Sequence, residues 1–172
     1  NTAWRMQMQI RKAMLEGASL LQGIVEVDET FIGGKEKNKH NNKKTPNNQG
    51  RSNKTKTPIV GAIQRDGKVV AKKVKDTSGK TLKSFINSKV EKGSELMTDE
   101  WTAYRGLSKN FDHYVVKHNK GEYVRGKAHT NSIENFWSLL KRGITGQYHW
   151  LSDKYLGKYI DEFCFRHNHR KT

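Results

Sequence analysis

The sequence predicts an α/β fold built on a mixed five-stranded sheet flanked by helices, and three observations carry that reading. Strand-like alternation fills residues 23 to 32. Two β-rich runs, Pro58 to Gln64 and Val69 to Val74, flank Arg65-Asp66-Gly67. From Thr77 onward, stretches of helical period alternate with short strand-like runs. An Asp-Gly turn between two β-rich runs is a strong hairpin signal, so the first three strands are consecutive and antiparallel.

In chain order, residues 2 to 16 come first. Met6, Ile10 and Met14 recur at four-residue spacing with Arg5, Arg11 and Lys12 between them, which predicts an amphipathic helix with a basic outer face. In the first strand Glu26, Asp28 and Thr30 form a mixed face alternating with Val25, Val27 and Phe31, and Gly33-Gly34 ends it. Residues 35–56 hold eight basic residues, Lys35, Lys37, Lys39, Lys43, Lys44, Arg51, Lys54 and Lys56, against the single acid Glu36, and are expected to form a flexible cationic loop. After the hairpin, Leu82, Phe85, Ile86 and Val90 share one face of a helix over Thr77 to Val90. A short strand follows at Glu95 to Thr98, then a helix over Trp101 to Leu107 and a strand at His113 to Lys117. Ile133, Phe136, Trp137, Leu140 and Ile144 form the buried stripe of a helix over Ser132 to Ile144, and Tyr155 to Arg166 closes the chain as an amphipathic helix. The order of strands and helices is the ribonuclease-H-like arrangement, in which acids stand at the ends of the first and fourth strands and on a following helix.

Lys and Arg number 33 against 17 Asp and Glu in 172 residues, a formal charge of +16. That excess goes well beyond what solubility requires and predicts a polyanionic partner. A mean hydropathy of −0.93 leaves no run of about 20 apolar residues, so no membrane partner is expected. Cys164 is the single cysteine, which excludes a disulfide framework within these residues and suits a reducing cytoplasm.

Against this basic background three acids stand out: Asp28 in the first strand, Asp99 ending Leu96-Met97-Thr98-Asp99, and Glu134 inside Asn131-Ser132-Ile133-Glu134. Carboxylates converging in a positive protein repel one another unless divalent cations neutralise them. Two Mg²⁺ or Mn²⁺ ions, which favour oxygen ligands, suit such a triad and serve in-line phosphoryl displacement. The bland alternatives are a solvated strand face for Asp28, a helix cap for Asp99 and a surface position for Glu134; three coincidences weigh against them. Lys141 lies two helical turns after Glu134, about 10 Å along the same face, where it can reach a phosphate. Asn131 is either a further metal ligand or, in the favoured reading, the helix N-cap. His129 either orients a metal ligand, contacts DNA or is a surface residue near the cap. Trp101, Tyr104 and Trp137 are candidates to stack on an unpaired base, with Trp137 assigned to the core.

Three ordered motifs, Val27-Asp28-Glu29-Thr30-Phe31-Ile32-Gly33-Gly34-Lys35, Thr98-Asp99-Glu100-Trp101-Thr102-Ala103-Tyr104 and the run from His129 to Gly143, together resemble the bacterial insertion-sequence transposases with an ISXO2-like DDE domain. The closing Glu162-Phe163-Cys164-Phe165-Arg166-His167-Asn168 fits the same group. The likeness covers residues 24 to 170 and implies a DDE-type polynucleotidyl transferase with Asp28, Asp99 and Glu134 as catalytic, metal-holding acids. It also implies Lys141 and Arg142 on DNA and assembly as a homo-oligomer on transposon ends. The third acidic position in that group is either Glu or Asn; the spacing to Lys141 selects Glu134 over Asn131. The group carries a DNA-binding module ahead of this domain, so residues 1–21 are expected to be a helical remnant or linker and residues 22–172 the catalytic domain. A ribonuclease-H-like nuclease without strand transfer and an inactive nucleic-acid-coating domain are the competing readings.

Overall fold

A computed structural model describes residues 1–15, 17, 19–34, 40–45, 55–116, 129–149 and 151–171. Its elements are α1 (Thr2–Ala13), β1 (Ile24–Ile32), β2 (Thr57–Gln64), β3 (Val69–Lys73), α2 (Gly79–Lys89), β4 (Glu95–Asp99), β5 (Asp112–Val116), α3 (Asn131–Gly143) and α4 (Asp153–Asn168). The sheet order is β3-β2-β1-β4-β5, with β1 antiparallel to β2 and parallel to β4. This is the mixed, ribonuclease-H-like sheet that the sequence predicts. No described helix is long and apolar enough to cross a membrane.

Local chemistry accounts for the elements. The β2–β3 hairpin closes where the Gly67 amide donates to the Gln64 carbonyl at 3.0 Å, with Asp66 in the left-handed region at φ 56°. Ser78 caps α2 by accepting the Thr81 amide. The sheet then separates two apolar layers. On one face α2 places Leu82, Phe85 and Ile86 against Val25, Val27, Val60 and Leu96. On the other, α3 and α4 place Ile133, Phe136, Trp137, Leu140 and Ile160 against Ile59, Ile63 and Ala71. Asn168 near the end of α4 finishes the edge strand: its side-chain amide accepts from the Val69 N–H at 2.8 Å and donates to the Val69 carbonyl at 3.1 Å. Those two bonds occupy backbone groups that an open sheet edge leaves available for pairing with another chain.

Three expectations are corrected. The stretch from Trp101 to Leu107 is not one helix but 3₁₀ turns at Thr102–Tyr104 and Leu107–Lys109, broken at Gly106, whose φ of 85° is left-handed. In α1 the Met6 and Ile10 stripe is exposed, and Met8 and Arg11 are buried instead. Arg11 is not on a basic outer face because Glu162 of α4 accepts its Nε at 2.7 Å and the Tyr159 ring lies 4.2 Å beneath its guanidinium. Glu162 also meets Arg166 and the Tyr148 hydroxyl, so the buried charges are matched. Finally, Thr130 rather than Asn131 occupies the N-cap position of α3, and Asn131 is its exposed first residue.

Candidate active site

Parallel pairing of β1 with β4 sets Glu26 opposite Met97. Asp28 and Asp99 therefore stand at the same level two residues further on, past the last paired rung. Their carboxylates and that of Glu29 each offer an oxygen within 4.8 Å of the others. Glu29 is a site residue that sequence reasoning missed, because neighbours on a strand point to opposite faces. The doubled acid Asp28-Glu29 at a strand end was the available signal. From the α2 side, Tyr104 donates its hydroxyl to Glu29 Oε2 at 2.7 Å and aims that carboxylate.

Each aspartate has a fixed partner. Trp137 of α3 packs against Gly61, where a Cβ would fall 2.6 Å from its ring, and its Nε1 donates to Asp28 Oδ2 at 3.1 Å. Glycine at 61 is what lets the indole approach the sheet. Burial pushes the Asp28 carboxyl up to about 7, helped by the neighbouring charges of Glu29, Asp99 and Glu134, against a backbone hydrogen bond from Glu29 that favours ionisation. Asp99 Oδ1 accepts the Trp101 amide at 3.0 Å, so it also caps the turn that follows. Thr98 donates to the Asp99 carbonyl at 2.9 Å, and its oxygen lies 2.8 Å from His113 Nε2. The threonine proton being committed, the imidazole must donate from Nε2, in keeping with the way burial holds His113 below its ordinary pKa.

Helix α3 supplies the remaining groups. Glu134 is exposed in its first turn, accepts the Thr130 hydroxyl at 2.8 Å and adds its charge to the field at Asp28; it stands outside the 4.8 Å group. Lys141 lies further along, its ammonium pKa lowered by partial burial and by Lys56, and raised by Asp28. Among the described residues of the basic segment, Lys56 is thus one that comes near Lys141. Lys43 and Lys44 are exposed around the 3₁₀ turn Asn41–Lys43, and Arg142 is exposed in the last turn of α3. Lys35, Lys37, Lys39, Arg51 and Lys54 lie outside the described residues.

His129 turns inward: its Nδ1 is 3.2 Å from Glu26 Oε1, without hydrogen-bond geometry. Tyr104 and Trp137 are buried in opposite layers and present no ring to a base, while Trp101 is 39% exposed two residues past Asp99. An all-oxygen donor set of this spacing, with one carboxyl driven to about 7 by burial and then by its neighbours' charges, fits a hard divalent cation.

A model of the ISXO2-like transposase domain matches residues 20–168. The chain belongs to this transposase family. The transposase domain is also 25% identical over 174 residues to an uncharacterized protein in the transposable element ISH50 of Halobacterium salinarum. That match takes in 96% of this chain and 59% of the relative, so the chain spans less than two thirds of that protein's length. Among solved structures it is similar to a chain of the simian T-cell lymphotropic virus intasome, solved by cryo-EM in complex with PP2A regulatory subunit B56 gamma. The TM-score is 0.49 at 15% identity, covering 89% of this chain and 51% of that one. It is similar as well to the HTLV-2 integrase catalytic core domain in complex with magnesium in its trimeric form, with a TM-score of 0.45 at 14% identity and 87% of each chain covered.

Proposed function

We propose that this domain cleaves a phosphodiester at a transposon end with water and then joins the freed 3′-OH to target DNA. The observation that carries the reading is the meeting of Asp28 and Asp99 at the ends of adjacent parallel strands, in a chain of net charge +16 that belongs to a transposase family. Asp28, Asp99 and Glu134 are the residues that hold two Mg²⁺ or Mn²⁺ ions, with Glu29 beside them. Divalent cations bound there would supply positive charge for the phosphoryl group in an in-line displacement.

The chain's own groups do the rest. Trp137 keeps Asp28 in one rotamer, and Tyr104 does the same for Glu29. Lys141 sits by Asp28, with Lys56 nearby, and its ammonium is placed to meet a neighbouring phosphate. Lys43, Lys44 and Arg142, with the basic residues of 35–56, gather the DNA backbone. A single site works on one strand at a time, so two transposon ends call for at least two copies, and the domain is proposed to act as a homo-oligomer on DNA.

The test is a joining assay with a labelled 3′-OH transposon-end oligonucleotide and a supercoiled plasmid in Mg²⁺. The expected result is a joined product that disappears in Asp28→Ala and Asp99→Ala while DNA binding persists. Unchanged joining by both variants removes the proposed site. Metal-dependent cutting without joining selects the nuclease reading instead.

A further inference from the structure

Glu26 lies two residues before Asp28 on the same face of β1 and is completely buried. A carboxylate in the interior is costly to hold unless its oxygens are met by donors. Four donors meet this one. Arg65 Nε and the Ser132 hydroxyl donate to Oε1 at 2.9 and 3.0 Å, and the backbone amides of Ser132 and Ile133 donate to Oε2 at 2.8 and 3.1 Å. Those two amides belong to the first turn of α3, where N–H groups lack partners within the helix and favour a negative charge.

A helix normally receives this service from its own N-cap side chain. Here Thr130 occupies that place, makes no side-chain cap bond, and gives its hydroxyl to Glu134 instead. The cap therefore comes from the strand. Arg65, at the end of β2, closes the arrangement by donating Nη2 to the His129 carbonyl at 3.2 Å, just ahead of the helix. Helix α3 is thereby fastened to β1 at two points, Glu26 to Ser132 and Ile133, and Asp28 to Trp137. Glu134 lies between the two fastenings.

We propose that Glu26 is a positioning residue: its buried cap sets the height and rotation of α3 on β1, and so sets Glu134 against Asp28 and Asp99 for cation binding. The assignment rests on the metal-holding role given above to those three acids. It makes Glu26 a residue that touches neither cation nor DNA and yet governs the affinity for the cation. Groups that orient metal ligands commonly change metal affinity by about 10–100-fold when altered.

Mn²⁺ binding to the whole chain, measured by calorimetry beside urea unfolding in EDTA, tests it. Glu26→Gln keeps the shape but replaces an acceptor with a donor facing other donors, and Ser132→Ala removes one donor with little cost to folding. Both are expected to weaken Mn²⁺ binding, Glu26→Gln by about tenfold or more and Ser132→Ala by a smaller factor, with Glu26→Asp intermediate. Ile86→Val in the α2 layer controls for general loosening and is expected to lower the urea midpoint without changing Mn²⁺ affinity. Mn²⁺ affinity within twofold of wild type in folded Glu26→Gln, or in Ser132→Ala if Glu26→Gln does not fold, overturns the positioning role while leaving the metal site standing. Wild-type protein that binds no Mn²⁺, or an Asp28→Ala variant that binds it equally well, sinks the metal-site reading and the role of Glu26 with it.

Discussion

Replacing Asp28 by Asn should make the metal-free protein more stable, an unusual direction for a change at a buried polar site. The ionised carboxylate is half-buried beside Glu29 and Asp99, and its pKa rises from 3.8 to about 7. In the unfolded chain it titrates near the ordinary value. Between about pH 4 and 7 the folded state therefore holds a proton that the unfolded state has released, and stability falls as pH rises through that window before levelling off above it. About three pKa units at about 1.4 kcal/mol each set a ceiling near 4 kcal/mol, and access of water to one side of the site reduces the expected value to about 2 kcal/mol. Asparagine carries no charge and still offers an oxygen to Trp137 Nε1. In EDTA at pH 8, Asp28→Asn is expected to unfold at a higher urea concentration than wild type, with the two curves converging at pH 4. Saturating Mg²⁺ should reverse the order, because a ligand at about 100 times its Kd adds about 2.7 kcal/mol only where it binds. A lower midpoint for Asp28→Asn at pH 8 in EDTA, or a wild-type midpoint that does not fall between pH 4 and 7, refutes the crowding of these carboxylates.

Two further outcomes follow from packing. Gly61→Ala places a methyl 2.6 Å from the Trp137 ring, which must swing away from Asp28, so a loss of about 2 kcal/mol in urea unfolding and a marked fall in Mg²⁺-dependent joining are expected together. Arg11→Ala strands part of the buried charge of Glu162, which keeps Arg166 and Tyr148, and should cost about 2–3 kcal/mol by chemical denaturation with no change in Mn²⁺ affinity.

The parts of this molecule that were legible in the sequence are those whose causes are local. The Asp66-Gly67 hairpin, the α2 stripe of Leu82, Phe85 and Ile86, and the level placement of Asp28 with Asp99 all follow from periodicity and strand order. What was not legible depends on partners far away in the chain. Arg11 looked like a surface charge because its acid is 151 residues distant, and with it the buried face of α1 was assigned to Met6 and Ile10. Glu26 looked like one polar residue of a mixed strand face, when its donors come from residue 65 and from the start of α3. Asn131 looked like the cap for the same reason: local preference favours it, but a strand residue does that job from outside. Gly106 shows the reverse case, a local cue in plain sight whose left-handed backbone divides a stretch of helix-forming residues.

Neighbouring side chains on β1 leave the strand in opposite directions, and at Asp28 and Glu29 each is caught by a ring from a different layer, Trp137 on one side and Tyr104 on the other. Their oxygens nevertheless end within one small volume. Two separately packed halves of the molecule therefore share a single junction, and slackening either half is felt at the same spot. A cation seated there would act as a rivet through the sheet, so loading it should slow amide exchange in α2 and α3 alike.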